Sequence, residues 1–207
     1  EAHSFDPLKN QQAFHLGMRD AIETALLAPL VSQLDKTAPL VHITNRHIAP
    51  NDIEAQLNLG KLDACIDLLK PVSPQVYHTL LFTEKLALVA RKDHPVFKGQ
   101  CTLDDFLQYR QVLVTPLENE PEWVDHALAS RGLRRNVTLR CQSYSSALQV
   151  LLDSDHLSIM PRGYVELQQQ FFPIKYTDVP FDVPNIEVHL YWHQRHDSDT
   201  ANKWLRR

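Results

Sequence analysis

Hydrophobic positions along this chain alternate between two spacings. Residues 13–18, Ala13-Phe14-His15-Leu16-Gly17-Met18, form a short apolar run that predicts a strand. Over residues 21–34 the apolar positions fall at Ile22, Leu26, Leu27, Leu30, Val31 and Leu34, a helical spacing with Asp20 placed to cap it and Pro29 placed to bend it. The same alternation continues with a strand at 40–44, a turn at 49–52, a short helix at 53–59 ended by Gly60, and a strand at 62–69. Residues 80–95, LLFTEKLALVARKDHP, read as one buried strand that leaves a first α/β unit and enters a second. Helices are then predicted at 102–107, 123–131, 143–152, 163–170 and 200–206, with strands at 111–115, 137–141, 156–160, 172–179 and 186–192.

Strands that alternate with helices over short connections predict parallel pairing and doubly wound α/β sheets. The first block supplies three strands before the crossing, so the last strand and helix are expected to return and complete it. The crossing back is placed at residues 182–185, Asp182-Val183-Pro184-Asn185. The halves are then discontinuous in sequence, and a cleft between two such units is a common ligand site.

Composition narrows the function classes. The 207 residues are 43% hydrophobic and 22% charged, and no apolar run approaches the ~20 residues of a membrane span. A net charge of −4 lacks the basic footprint of a module that grips phosphate backbone. The N-terminal residues carry neither a basic start nor an apolar core, which points to a chain kept in the cytoplasm. Three widely spaced cysteines, Cys65, Cys101 and Cys141, fit a reducing compartment, and Cys65 inside an apolar strand reads as an inert buried thiol. His189, His193 and His196 do not form a recognised ligand spacing. No G-x-S-x-G, H-E-x-x-H, P-loop or G-x-G-x-x-G is present, so neither an enzyme, a metal nor a cofactor is expected.

Several stretches, taken in order, resemble the effector-binding regulatory domain of LysR-type bacterial transcriptional regulators. They are Phe5-Asp6-Pro7 followed by Phe14-His15-Leu16, then Gly60-Lys61-Leu62-Asp63-Ala64-Cys65-Ile66, which is similar to the family's G-x-L-D lead, and residues 86–95, similar to its L-x-L-V-x-x-x-H-P stretch. The ending, Tyr191-Trp192-His193 with Trp204-Leu205, resembles the subgroup of nodulation and leucine-response regulators. The resemblance implies two Rossmann-like subdomains of periplasmic-binding-protein type II joined by two crossing strands, here 10–86 with 184–207, and 87–183. It further implies a small-molecule effector bound between them, and an effector that shifts the angle between the halves. A homodimer or homotetramer is implied as well, with self-association through residues 21–34 and strand two. DNA contact would come through an N-terminal winged helix-turn-helix absent from this chain, with no membrane partner. An extracytoplasmic solute-binding protein of a transporter shares the two-lobed plan and is the alternative.

Ligands of doubly wound sheets sit beyond the C-terminal ends of strands, where helix N-termini and free turn N–H groups converge. That rule selects Arg19, Asp20 and Ala21 after strand one and Arg46, with Asn45 and His47, after strand two. In the second half it selects Thr115, Pro116, Ser143, Tyr144, Ser145 and Pro161, with Met160 and Arg162 beside the last. Arg46 has the fork geometry for an anionic group, Ser143 is equally a helix cap, and Asp20 equally caps its own helix. LysR-type regulators often hold an effector carboxylate with Ser or Thr at the first strand-to-helix turn; Arg19-Asp20 stands there instead, which argues against a simple carboxylate at that turn.

Overall fold

The computed structural model describes residues 5–115 and 122–207. The chain forms two compact units, one built from residues up to Thr83 together with Glu187–Arg207, the other from Glu84–Ile186. Each is an α/β unit around one five-stranded sheet.

The first unit contains β1 (Gln12–Met18), α1 (Asp20–Thr37), β2 (Val41–Arg46), α2 (Ile53–Asn58), β3 (Ala64–Leu68) and β4 (Val76–Glu84). The last strand, β10 (Ile186–His193), and α7 (Thr200–Leu205) return to it. Sheet order is β2-β1-β3-β10-β4, with β1 parallel to both β2 and β3, and β10 antiparallel to β3. Side chains alternate across a sheet, so Ile66 and Leu190 face one way and Cys65 and Tyr191 the other. Ile22, Leu26, Leu27 and Leu30 of α1 pack on the first face with Leu16, Met18, Val188 and Trp192. Ile53 and Leu57 of α2 pack on the second with Cys65, Val76 and Tyr191. The ring of Trp204 in α7 stacks on Phe14.

The second unit contains β5 (Leu86–Arg91), α3 (Leu103–Gln108), β6 (Arg110–Val114), α4 (Trp123–Ala129), β7 (Asn136–Cys141), α5 (Tyr144–Leu152), β8 (Leu157–Pro161), α6 (Arg162–Gln168) and β9 (Ile174–Asp178). Its order is β7-β6-β8-β5-β9, with β6 parallel to β7 and β8, and β5 antiparallel to β8 and β9. Leu88, Ala90, Phe106, Leu128, Leu157 and Phe181 make up much of its core. Local signals in the sequence explain the helix ends. Thr102 and Asp105 form a reciprocal capping box at α3, and Gly132 takes φ +70° just after α4, where a side chain would be strained.

Three expectations are corrected. Residues 80–95 do not form one buried strand: β4 ends at Glu84 in the first sheet and β5 begins at Leu86 in the second. β4 is an edge strand, which leaves Leu80 49% and Leu81 41% exposed, whereas Ala87, Leu88, Val89 and Ala90 of β5, flanked by β8 and β9, are buried. The break falls at Lys85, where the Glu84 carboxylate accepts from its own neighbour's N–H and from the Gly163 N–H at the start of α6. Asp20 is not the cap of α1: Arg19 holds the extended cap position and Asp20 is the first helical residue, where its charge complements the helix dipole. α1 also continues through Pro29 to Thr37, beyond the expected end at Leu34.

Candidate functional site

In the first unit the ends of three parallel strands bring the selected residues together. Arg46 closes β2 and pairs in register with Gly17, one residue before the end of β1; its side chain is exposed. Arg19 follows β1, and Asp20 and Ala21 open the first turn of α1. The Arg19 guanidinium does not point freely outward: its Nε lies 2.6 Å from Oδ1 of Asp67 on β3. The Lys70 ammonium holds the other oxygen of that carboxylate and donates to the Pro50 carbonyl at 3.2 Å. Asp67 is 2% exposed, so a full negative charge sits inside the unit, balanced by two cations.

Tyr191 fixes the same corner. Its hydroxyl donates to the Leu68 carbonyl at 2.8 Å and accepts from the Lys70 N–H at 3.0 Å, so the backbone just past β3 is pinned to β10. Burial pushes the Tyr191 phenol up to about 12, and it stays a neutral donor at physiological pH. Burial, reinforced by the Asp67 charge, pushes the Cys65 thiol up to about 12, which removes its thiolate chemistry. Burial also raises the Cys101 thiol, to about 11, and that of Cys141.

In the second unit the ends of β6, β7 and β8 play the equivalent part. Thr115 is buried just past β6, and its N–H donates to the Cys141 carbonyl of β7 at 2.9 Å. Ser143 caps α5, its Oγ accepting from the Ser146 N–H at 3.3 Å, and it lies 2.8 Å from the exposed Ser145 Oγ. Tyr144 opens α5 with its ring 5.1 Å from that of Tyr164 in α6, and Pro161 ends β8 and stands at the cap of α6. Beside it Arg162 is engaged by Glu166 at 2.9 Å and lies over the Tyr176 ring. Pro116 lies outside the described residues.

Asp67, Lys70 and Tyr191 were not selected from sequence. A signal was present for the first of them: Asp67 is a lone carboxylate between Ile66 and Leu68 in an apolar strand, and a charge placed there requires a buried partner. Among the described residues no three His, Cys, Asp or Glu side chains converge on one point, and no helix is long and apolar enough to cross a membrane.

Comparison with known families decides the class: the model of the LysR substrate binding domain matches residues 9–207. The chain belongs to this family. The transcriptional activator NagR of a Ralstonia species is 26% identical over 98% of this chain and 67% of its own length. NahR of Pseudomonas putida, also a transcriptional activator, is 27% identical over 98% of the chain and 68% of its own. The chain thus spans about two thirds of the length of these curated relatives. Among solved structures, the regulatory domain of MexT from Pseudomonas aeruginosa superposes with a TM-score of 0.85 at 23% identity, covering 95% of this chain and 96% of that domain. A likeness at that identity shows the fold, which is of the type II periplasmic-binding-protein kind. A LysR substrate-binding domain serves a transcriptional regulator, so the family match supports the regulator reading over the transporter solute-binding alternative.

Proposed function

We propose that this LysR-family domain is the effector-sensing and self-associating part of a cytoplasmic, non-enzymatic, DNA-binding transcriptional regulator. DNA contact belongs to an N-terminal winged helix-turn-helix, and the acidic balance of this domain, −4, keeps it from gripping DNA itself. Arg19, Asp20, Ala21 and Arg46 in the first unit, with Thr115, Pro116, Ser143, Tyr144, Ser145 and Pro161 in the second, are the effector contacts.

One observation carries the reading of effector chemistry. The Nε of Arg19 is already paired with the buried Asp67 at 2.6 Å, so a simple carboxylate at the first strand-to-helix turn would meet a guanidinium whose charge is already shared. That favours an effector with an apolar body packed on the Tyr144 ring and anchored by hydroxyl groups such as the exposed Ser145 Oγ. Binding moves the regulator between states only through its differential affinity for them. Calorimetric titration against a panel of metabolites and aromatic compounds tests this. The expected outcome is a saturable ligand whose affinity falls at least tenfold in Ser145→Ala; a panel without any binder removes the support for effector sensing.

A further inference from the structure

Two histidines that are far apart in sequence meet at the edge of the first sheet. His78 of β4 and His189 of β10 lie on neighbouring strands with their Nδ1 atoms 3.0 Å apart. On its other side, His189 Nε2 lies 3.1 Å from Glu187 Oε2. An ionised carboxylate only accepts, so Nε2 of His189 carries the ring proton and Nδ1 turns a lone pair toward His78. The rings are held by packing, since His78 stacks on Tyr191 at 5.4 Å and the fully buried Tyr191 is fixed by its own hydrogen bonds. His78 is exposed and His189 is buried, so the pair is approached from the His78 side.

We propose that His78 and His189 form a chelate for a divalent transition ion that favours nitrogen donors in square or tetragonal geometry, of the Ni²⁺ or Cu²⁺ class. Imidazole nitrogens sit at about 2.0–2.1 Å from such ions, and two donors at right angles are then about 2.9 Å apart. The observed 3.0 Å matches that bite. Loading requires that His78 move its proton from Nδ1 to the solvent-side Nε2 and that the rings turn until both Nδ1 lone pairs converge on an ion about 1.4 Å off the Nδ1–Nδ1 line, which replaces the shared proton as their link. The Glu187–His189 contact is the carboxylate–histidine pairing that orients metal-bound imidazoles elsewhere. Asp67 lies opposite His189 in the β3–β10 register, but Arg19 and Lys70 hold its two oxygens and keep it from the ligand set. With two protein donors, the remaining coordination positions fall to water or to a small molecule.

The test is a calorimetric titration of the tag-free, metal-stripped chain with NiCl₂ and then CuCl₂. The expected result is a distinct site of one ion per chain, tighter for Cu²⁺ than for Ni²⁺. His78→Ala, on the edge strand, abolishes that site while the circular dichroism spectrum stays unchanged. Glu187→Gln weakens it about tenfold, the usual size of such an effect. A wild-type chain without the site, or a His78→Ala chain that binds nickel as tightly as wild type, overturns the proposal.

Discussion

The Arg19 guanidinium meets the Asp67 carboxylate at 2.6 Å, and Lys70 closes on the other oxygen of the same buried group. This joins the turn after β1 to the end of β3, the same corner at which the candidate residues of the first unit converge. Because Asp67 is almost wholly enclosed, the two cations compensate one another, and removing both leaves an unpaired charge in the core. Arg19→Ala and Lys70→Ala are each expected to cost about 1–2 kcal/mol. The double variant should lose about 3–5 kcal/mol, more than the sum of the singles, and adding Asp67→Leu should recover part of the loss. Urea unfolding of the four variants against the wild type measures this. Additive singles with no recovery by Asp67→Leu would contradict it.

His94 ties stability to pH in the second unit. It is 1% exposed; its Nε2 donates to the Asp155 carbonyl at 3.1 Å and its Nδ1 accepts from the Val96 N–H at 3.0 Å, a pattern that only the neutral ring satisfies. Burial holds its pKa below the ordinary histidine value, against the opposing pull of the Asp155 carbonyl. The unfolded chain therefore takes up a proton at about pH 6.5, above the folded value. The stability His94 contributes is complete above that pH and is lost as pH falls from there through its folded value. Melting temperature followed from pH 8 to pH 5 should decline below about 6.5 in the wild type. The decline should be shallower in His94→Gln, and equal slopes would rule His94 out as the cause.

The proposed self-association runs through α1 and β2. β2 is the edge strand of its sheet, and Val31 on α1 is 48% exposed. An apolar side chain in a protein interface does not accept a charge without loss. Val31→Glu is expected to convert a dimer into monomer in sedimentation velocity, with the fold unchanged by circular dichroism. A dimer of undiminished affinity would move the interface elsewhere on the domain.

Much of the fold was legible because its signals are local. The helical spacing from Ile22 to Leu34, the Thr102–Asp105 box and the Gly132 terminator each follow from a few neighbouring residues. The return of β10 to the first sheet also followed, from counting strands before the crossing. For residues 80–95 the passage from one unit to the next was legible, but apolar character did not reveal two separate strands, the first of them an exposed sheet edge. The site divides the same way. Strand ends marked Arg19, Arg46 and Ser143, but which partner each one takes is a tertiary fact. Asp67 lies 48 positions beyond Arg19, and His78 lies 111 before His189. Histidine spacing grouped His189 with His193 and His196 and gave no ligand set, whereas β pairing gives His189 a partner on another strand.

The central claim is that a small molecule binds at the strand ends. Amide chemical shifts of the isotope-labelled chain, followed while a binder found by calorimetry is titrated in, test it most directly. The account expects the largest changes at Arg19, Asp20 and Ala21 and at Thr115, Ser143, Tyr144 and Ser145, with saturation at the calorimetric affinity. Shifts confined to other surfaces, with these residues still, would contradict it.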